Sequence, residues 1–76
     1  MAIADPRVPF GTHLAQLRRA KGWSQEKLAL ESGLARSYLG GVERGQRNIA
    51  LVNICKLAEA LNMPPSSLME FTSPAG

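Results

Sequence analysis

The sequence predicts an all-α domain of five helices, and three observations support that fold class. Apolar residues recur at helical spacing in nearly every segment, Gly, Asn and Pro stand where those segments end, and no run shows the sustained alternation of a β-strand. A chain of 76 residues can close only one core. We therefore expect a single domain over residues 8–71, with flexible termini at 1–7 and 72–76.

The first helix is predicted from an apolar stripe near the N-terminus. Phe10, Leu14 and Leu17 follow one another at i, i+4 and i+7, which places them on one face of a helix. Gly22 is well placed to end it, since glycine readily adopts the left-handed conformation found after helix C-termini. The pattern predicts a helix over Val8–Lys21.

Two short helices are predicted next, separated by a tight turn. Ser24 is a typical N-cap residue, and the helix that it starts is expected to run over Gln25–Ser32 and to end at Gly33. The apolar pattern restarts within two residues and predicts a third helix over residues 35–44, which Gly45 ends.

The last two helices are predicted from an apolar run and a pair of prolines. Asn62 tolerates the left-handed conformation and is expected to end the fourth helix. Pro64-Pro65 breaks the chain and suits the start of a short fifth helix that continues to Phe71. The predicted core face of the fourth helix comprises Leu51, Ile54, Cys55, Leu57, Ala58 and Leu61.

Composition excludes several classes of protein. A single Cys cannot form an internal disulfide or supply a multi-thiolate metal site, and no apolar run approaches the roughly 18 residues of a membrane span. The N-terminus lacks the basic start and apolar run of a signal peptide, so we expect a cytoplasmic protein. His13 and Cys55 have no partners that would indicate catalysis. We expect no enzyme, metal, cofactor, membrane or small-molecule substrate.

Positive charge is confined to the first two-thirds of the chain. Residues 7–47 contain eight basic and three acidic residues, a net charge of +5, whereas residues 48–76 have one basic and two acidic residues, a net charge of −1. This asymmetry indicates one part that faces a polyanion and another part with a different role.

Residues 24–45 have the spacing of a DNA-binding helix-turn-helix. Two helices joined by so short a turn cross steeply, and this requires a small residue at the contact and a Gly in the turn, which Ala29 and Gly33 supply. The inward positions are apolar: Leu28, Leu34, Leu39 and Val42. The alternative interpretation is an ordinary helical hairpin in a small bundle.

The same residues carry a resemblance to a known family. Leu17–Ala29 (LRRAKGWSQEKLA), Ser32–Leu34, Arg36–Leu39 and Val42–Gly45 together resemble the lambda Cro/C1-type (XRE) helix-turn-helix family, and the short single domain is similar to controller proteins of restriction-modification systems. The resemblance implies a five-helix, lambda-repressor-like domain that binds double-stranded DNA and regulates transcription. An antitoxin of the same fold, which binds a toxin and represses its own operon, is the alternative.

Arg36 is the first candidate for reading bases, because an Arg near the N-terminal end of the third helix can bind guanine O6 and N7 together. The resemblance implies that Gln25, at the start of the second helix, meets a phosphate, and that Arg18 pairs with Glu43. The candidate DNA-contacting residues are Gln25, Arg36, Ser37, Tyr38, Gly40, Gly41, Arg44, Gln46 and Arg47.

Two features depart from the rules for stable helices. Gly40 and Gly41 lie inside the third helix, where each costs about 1 kcal/mol relative to Ala. Either the missing Cβ atoms allow a closer approach to DNA, or an exposed helix tolerates them. Ala35 and Ala50 occupy N-cap positions where the resembling family usually has Ser or Thr, so we expect modest stability.

The C-terminal third is expected to hold a homodimer interface. One recognition helix contacts few base pairs, and a two-fold pair of helices reads a palindromic site. The candidate interface residues are Met63, Leu68, Met69 and Phe71, which are more apolar than so short a tail requires; some are expected to complete the core, and Phe71 is the leading interface candidate. The alternative is that they only complete the core.

Overall fold

A computed structural model describes residues 5–71, which form five helices and no strand. The helices are α1 (Arg7–Ala20), α2 (Gln25–Ser32), α3 (Arg36–Glu43), α4 (Leu51–Ala60) and α5 (Pro65–Leu68). The predicted all-α, five-helix fold is confirmed. Residues 1–4 and 72–76, where flexible termini are predicted, lie outside the described residues. Helix α1 begins within the N-terminal segment 1–7, and Asp5 accepts a hydrogen bond from the Arg7 amide at 3.0 Å.

The helices end where the sequence predicts left-handed residues. Gly45 has a φ of 75° and Asn62 a φ of 57°. After α3, the amide of Gly45 donates to the Val42 carbonyl and that of Gln46 donates to the Gly41 carbonyl. This pair of bonds is the Schellman arrangement, which satisfies the last carbonyls of the helix and reverses the chain direction.

The core is built from leucines of all five helices. Helix α1 packs against α3 and α5, and α2 packs against α3 and α4. A Cβ atom on Gly11 would lie 2.7 Å from the Glu43 carbonyl oxygen, so glycine permits the close crossing of α1 over α3. The largest side chains that are less than 2% exposed are Leu14, Leu28, Leu39, Val42, Leu57, Leu61 and Leu68.

The predicted core face of α4 is wrong at two positions. Ile54 is half-buried and Leu57 is fully buried, but Leu51 is 74% exposed and Cys55 is also exposed. The helices that cover α4 lie over the line of Ile54, Leu57, Ala58 and Leu61, and within residues 5–71 no element extends over the adjacent line of Leu51 and Cys55. Helical periodicity identified the apolar residues of α4 but not which of them the other helices bury.

The prediction of Leu68 as an interface residue is also wrong, because Leu68 is 0% exposed inside its own protomer. Helix α5 ends at this residue, three positions before the predicted end. Met63 and Phe71 are half-buried against the core, and the Phe71 ring meets that of Phe10 edge-on at 5.9 Å. Of the four candidates, Met69 is the most exposed, at 54%.

The missing helix cap at Ala50 gives a stability prediction. Ala50 has the extended backbone of an N-cap (φ −75°, ψ 151°), but no side chain accepts a hydrogen bond from the first turn of α4. We expect Ala50→Ser to raise the free energy of unfolding by about 1 kcal/mol and the melting temperature by about 4–8 °C. Thermal denaturation followed by circular dichroism tests this, and an unchanged melting temperature would contradict it.

Candidate nucleic-acid interface

The α2–turn–α3 unit is held by local caps at both ends of α2. The Ser24 hydroxyl accepts a hydrogen bond from the Lys27 amide at 3.1 Å, and Gly33 ends the helix with a φ of 76°. Leu39 and Val42 then fix the inner face of α3 to the core. Arg36 and Ser37, in the first turn of α3, remain exposed to solvent.

A buried ion pair connects α1 to the end of α3. Arg18 donates through Nε and Nη2 to the two carboxylate oxygens of Glu43, at 2.7 and 2.9 Å, and through Nη1 to the Trp23 carbonyl at 2.7 Å. The side chains are only 9% and 6% exposed. The two-pronged contact fixes the rotation of α3 about its own axis relative to α1.

The environment keeps both partners of this pair charged. Burial acts to raise the pKa of the Glu43 carboxyl, but hydrogen bonds from Arg18 and Gln25, together with the Arg18 charge, outweigh it and hold that pKa below its ordinary value. The hydrogen bonds to Glu43 raise the pKa of Arg18 despite burial. The site therefore contains a permanent, paired charge beneath an exposed surface.

Gln25 is the first residue of α2 and belongs to the same network. Its side-chain Nε2 donates to Glu43 at 2.9 Å, so the amide is oriented by the ion pair. The first intrahelical bond of α2 starts at the Leu28 amide and the Lys27 amide is bound by Ser24, which leaves the amides of Gln25 and Glu26 available to a ligand. A helix N-terminus of this kind suits an anion such as a phosphate.

Arg36 and Tyr38 lie at the same end of α3 in different environments. The Arg36 side chain is 57% exposed, and its Nε lies 3.5 Å from the Glu26 carboxylate of α2, an exposed and weak ion pair. Tyr38 is half-buried, and its hydroxyl accepts a hydrogen bond from Asn53 at 3.2 Å. The first side chain is free to move to a ligand, whereas the second is held in place.

Gly40 and Gly41, for which the sequence suggested either a close approach to DNA or an exposed helix, are covered by side chains of the same protein. Both are buried, because the side chains of Arg44 and Arg47 lie over them. Arg44 also donates through Nε to Gln46 at 3.1 Å. Arg44, Gln46 and Arg47 are themselves exposed, so they form the outer layer of this surface.

Two contributors to the site are absent from the sequence prediction. Glu26 pairs with the predicted base reader, and Asn53 of α4 binds the Tyr38 hydroxyl. The negative charge of Glu26 in the first turn of α2 is visible in the sequence, but it indicates a favourable interaction with the helix N-terminus and not a contact with Arg36. The Asn53 contact joins residues 15 positions apart, and no local pattern indicates it.

The described part of the chain has no features of two other kinds of site. No helix within residues 5–71 is both long enough and apolar enough to cross a bilayer. The same residues contain no group of three or more His, Cys, Asp or Glu side chains placed to hold a metal ion.

The tight helix pair with its exposed first turn of α3 defines a DNA-binding regulator of the helix-turn-helix class. A helix-turn-helix family model matches residues 14–68, and the chain therefore belongs to that family.

Similar proteins include control and regulatory proteins. Control protein C.BamHI of Bacillus amyloliquefaciens is 46% identical over 68 residues, which cover 88% of this chain and 84% of that protein. The crystal structure of the restriction-modification controller protein C.AhdI from Aeromonas hydrophila matches with a TM-score of 0.80 and 64% identity, over 82% of this chain and 94% of that chain. The structure of the biofilm regulator SinR in complex with DNA, a Bacillus subtilis protein, matches with a TM-score of 0.76 and 31% identity, over 80% and 98% of the two chains.

Proposed function

We propose that this protein regulates transcription by binding operator DNA as a homodimer, with α3 in the major groove. The observation that carries the proposal is the contrast within α3, where Arg36 and Ser37 are exposed in the first turn while Leu39, Val42 and Glu43 anchor the rest. An exposed N-terminal turn on a fixed helix is the geometry by which such domains reach base edges. Because the proposed ligand is cellular DNA, we expect the protein to act in the cytoplasm.

In this proposal, base reading and phosphate binding fall to different residues. Arg36 contacts guanine with both prongs of its guanidinium, and Ser37 contacts a neighbouring base or phosphate. Gln25 and the free amides of α2 bind one phosphate, and Arg47 binds another. Tyr38, Arg44 and Gln46 approach the backbone at the groove edge.

The homodimer requires a surface other than the basic face, because two copies with the same charge repel one another there. An alternative surface lies on the C-terminal third, whose net charge is −1. Leu51 and Val52 are 74% and 64% exposed, Cys55 is exposed at a neighbouring position on α4, and Met69 borders the same groove as Ile54 of α4. We call Leu51, Val52, Cys55 and Met69 the α4 apolar patch and propose that a second copy covers it.

The relatives favour the regulator over an antitoxin. Those reported above are described as control proteins and as a regulator, and one was crystallised with DNA. Selection of operator sequences from a random DNA pool by the purified protein tests the proposal directly. We expect a palindromic consensus, and recovery of unselected sequence at low ionic strength would contradict it.

The separation of roles predicts different losses for two arginines. We expect Arg36→Ala to lose about 1–3 kcal/mol of discrimination at one base pair of each half-site. Arg47→Ala should weaken binding to all DNA similarly and lower the slope of log K against log salt by about 1 for each half-site bound. Fluorescence anisotropy titrations at several salt concentrations measure both effects.

Each variant serves as the control for the other, because both remove one positive charge from an exposed position. Equal losses on operator and random DNA for Arg36→Ala would contradict its role in reading bases. An unchanged salt slope for Arg47→Ala would show that Arg47 does not bind a phosphate.

A further inference from the structure

The two glycines of α3 lie beneath arginine side chains. A Cβ atom on Gly41 would be 2.8 Å from Cγ of Arg47 and 3.3 Å from its Nε. A Cβ atom on Gly40 would be 3.1 Å from Nη1 of Arg44. The arginine stems therefore occupy the space that side chains at these two positions would fill.

The end of α3 directs Arg47 to this position. The Schellman bonds at Gly45 and Gln46 turn the chain back along the helix, so that the following loop passes over the last turns of α3. Arg47, although outside α3, thereby reaches back to Gly41.

A second contact orients the guanidinium of Arg47. Its Cζ atom lies 6.0 Å from the centre of the Tyr38 ring, at the edge of the range for a cation–π contact. Asn53 of α4 in turn holds the Tyr38 hydroxyl. Arg47 is thus confined by a bare stretch of helix backbone below and an aromatic ring at one side.

We propose that Gly41, and to a lesser degree Gly40, are positioning residues for DNA binding: their missing Cβ atoms form a slot that holds Arg47, and beside it Arg44, flat against α3. The slot fixes the Arg47 guanidinium near Tyr38 before DNA arrives, so less side-chain entropy is lost on binding a phosphate. This inference rests on the proposed contact between Arg47 and a DNA phosphate. In this explanation, the glycines are present to make room for the arginine side chains and not to let α3 approach DNA more closely.

The test is a double-mutant cycle of Gly41→Ala and Arg47→Ala on operator DNA. Ala has a higher helix propensity than Gly, and Gly41 does not have the positive φ that would strain an Ala. We therefore expect the melting temperature of Gly41→Ala to stay the same or rise. The added Cβ displaces Arg47 near the base of its side chain. For each half-site, we expect operator affinity to fall about tenfold, the cost of one charge-assisted hydrogen bond, and the salt slope to fall by about 1.

The double variant separates the two ways in which Gly41 could act. If Gly41 acts through Arg47, adding Gly41→Ala to Arg47→Ala causes no further loss of affinity. A further tenfold loss with an unchanged salt slope would show that the new methyl group meets DNA directly and would overturn the proposal. Gly40→Ala is expected to have a smaller effect. The Cβ that it adds meets the movable end of the Arg44 side chain, so we expect operator affinity to fall only about two- to threefold.

The cycle also distinguishes failure of this inference from failure of the proposed function. If Arg47→Ala alone leaves operator affinity and salt slope unchanged, the phosphate contact is wrong. If Arg47→Ala weakens binding but Gly41→Ala does not, the contact stands and the positioning role is overturned.

Discussion

Replacing Glu43 with Gln is expected to lower the free energy of unfolding by about 3–5 kcal/mol, the largest change that we expect from a single polar substitution here. The variant keeps the shape of the side chain but removes the charge that faces Arg18, whose side chain is only 9% exposed. Arg18 then keeps a buried charge with only the Trp23 carbonyl and a neutral amide as partners. Urea denaturation at a fixed protein concentration measures the loss.

Glu31→Gln is the matched control, because Glu31 also pairs with a cation in wild-type protein. The Lys27–Glu31 distance is 3.1 Å, but the side chains are 45% and 42% exposed. An exposed pair of this spacing is worth about 0.3–0.5 kcal/mol. Equal destabilisation by the two variants would mean that the Arg18–Glu43 pair does not hold α3 in place.

The same pair predicts how stability depends on pH. The folded-state pKa of Glu43 is below its ordinary value of 4.5, so the ionised carboxylate stabilises the fold above that pH, and the contribution is lost as the pH falls through the folded-state pKa. Wild-type protein should therefore lose stability in acid more steeply than Glu43→Gln. Parallel acid denaturation curves for the two proteins would contradict this assignment.

Leu51→Glu is expected to convert the homodimer to a monomer and to weaken operator binding about 100-fold or more, because each half-site must then be bound separately. Leu51 is 74% exposed within the protomer, so the substitution leaves the core intact. A Glu at the first position of α4 also suits the helix N-terminus, which favours folding of the variant. Sedimentation equilibrium at tens of micromolar and anisotropy titrations measure the two effects.

Leu30→Glu provides the control for charge and exposure. Leu30 is 76% exposed on α2, outside the α4 apolar patch, and its replacement adds the same negative charge. We expect this variant to remain dimeric. A monomeric wild-type protein in the presence of operator DNA, or a dimeric Leu51→Glu variant, would contradict the proposed interface.

Local sequence predicted the helices well because their ends depend on single residues. Ser24 caps α2 through its own hydroxyl, and Gly33 and Asn62 adopt the left-handed backbone that ends a helix. These effects act over three or four residues, so the sequence shows them directly. The start of α2 is predicted at the residue where the structure places it, and the start of α1 one residue away.

Positions that depend on neighbouring helices were less predictable. Leu51 and Leu68 are both apolar residues near helix ends, yet one is 74% exposed and the other is fully buried. Hydrophobicity alone cannot separate them, because exposure is decided by which element covers each position. The sequence predicts Leu51 in the core and Leu68 at an interface, whereas the structure exposes Leu51 and buries Leu68.

The candidate site divides in the same way. The exposure of Arg36 followed from its place on an amphipathic helix, and Arg18 and Glu43, expected as a pair from family resemblance, lie in contact. Gly45 signalled the end of α3, but no local pattern indicated that the Arg47 side chain beyond it would cover Gly41.

The sequence by itself determined an all-α chain with a tight pair of helices and a basic N-terminal two-thirds. These properties follow from periodicity, capping and composition, which act between residues close in the chain. Only the tertiary structure decided that Arg47 lies over Gly41, that Glu43 orients Gln25 and that the α4 apolar patch faces solvent. Such contacts arise from how separate helices and loops pack, which depends on the whole core rather than on any one segment.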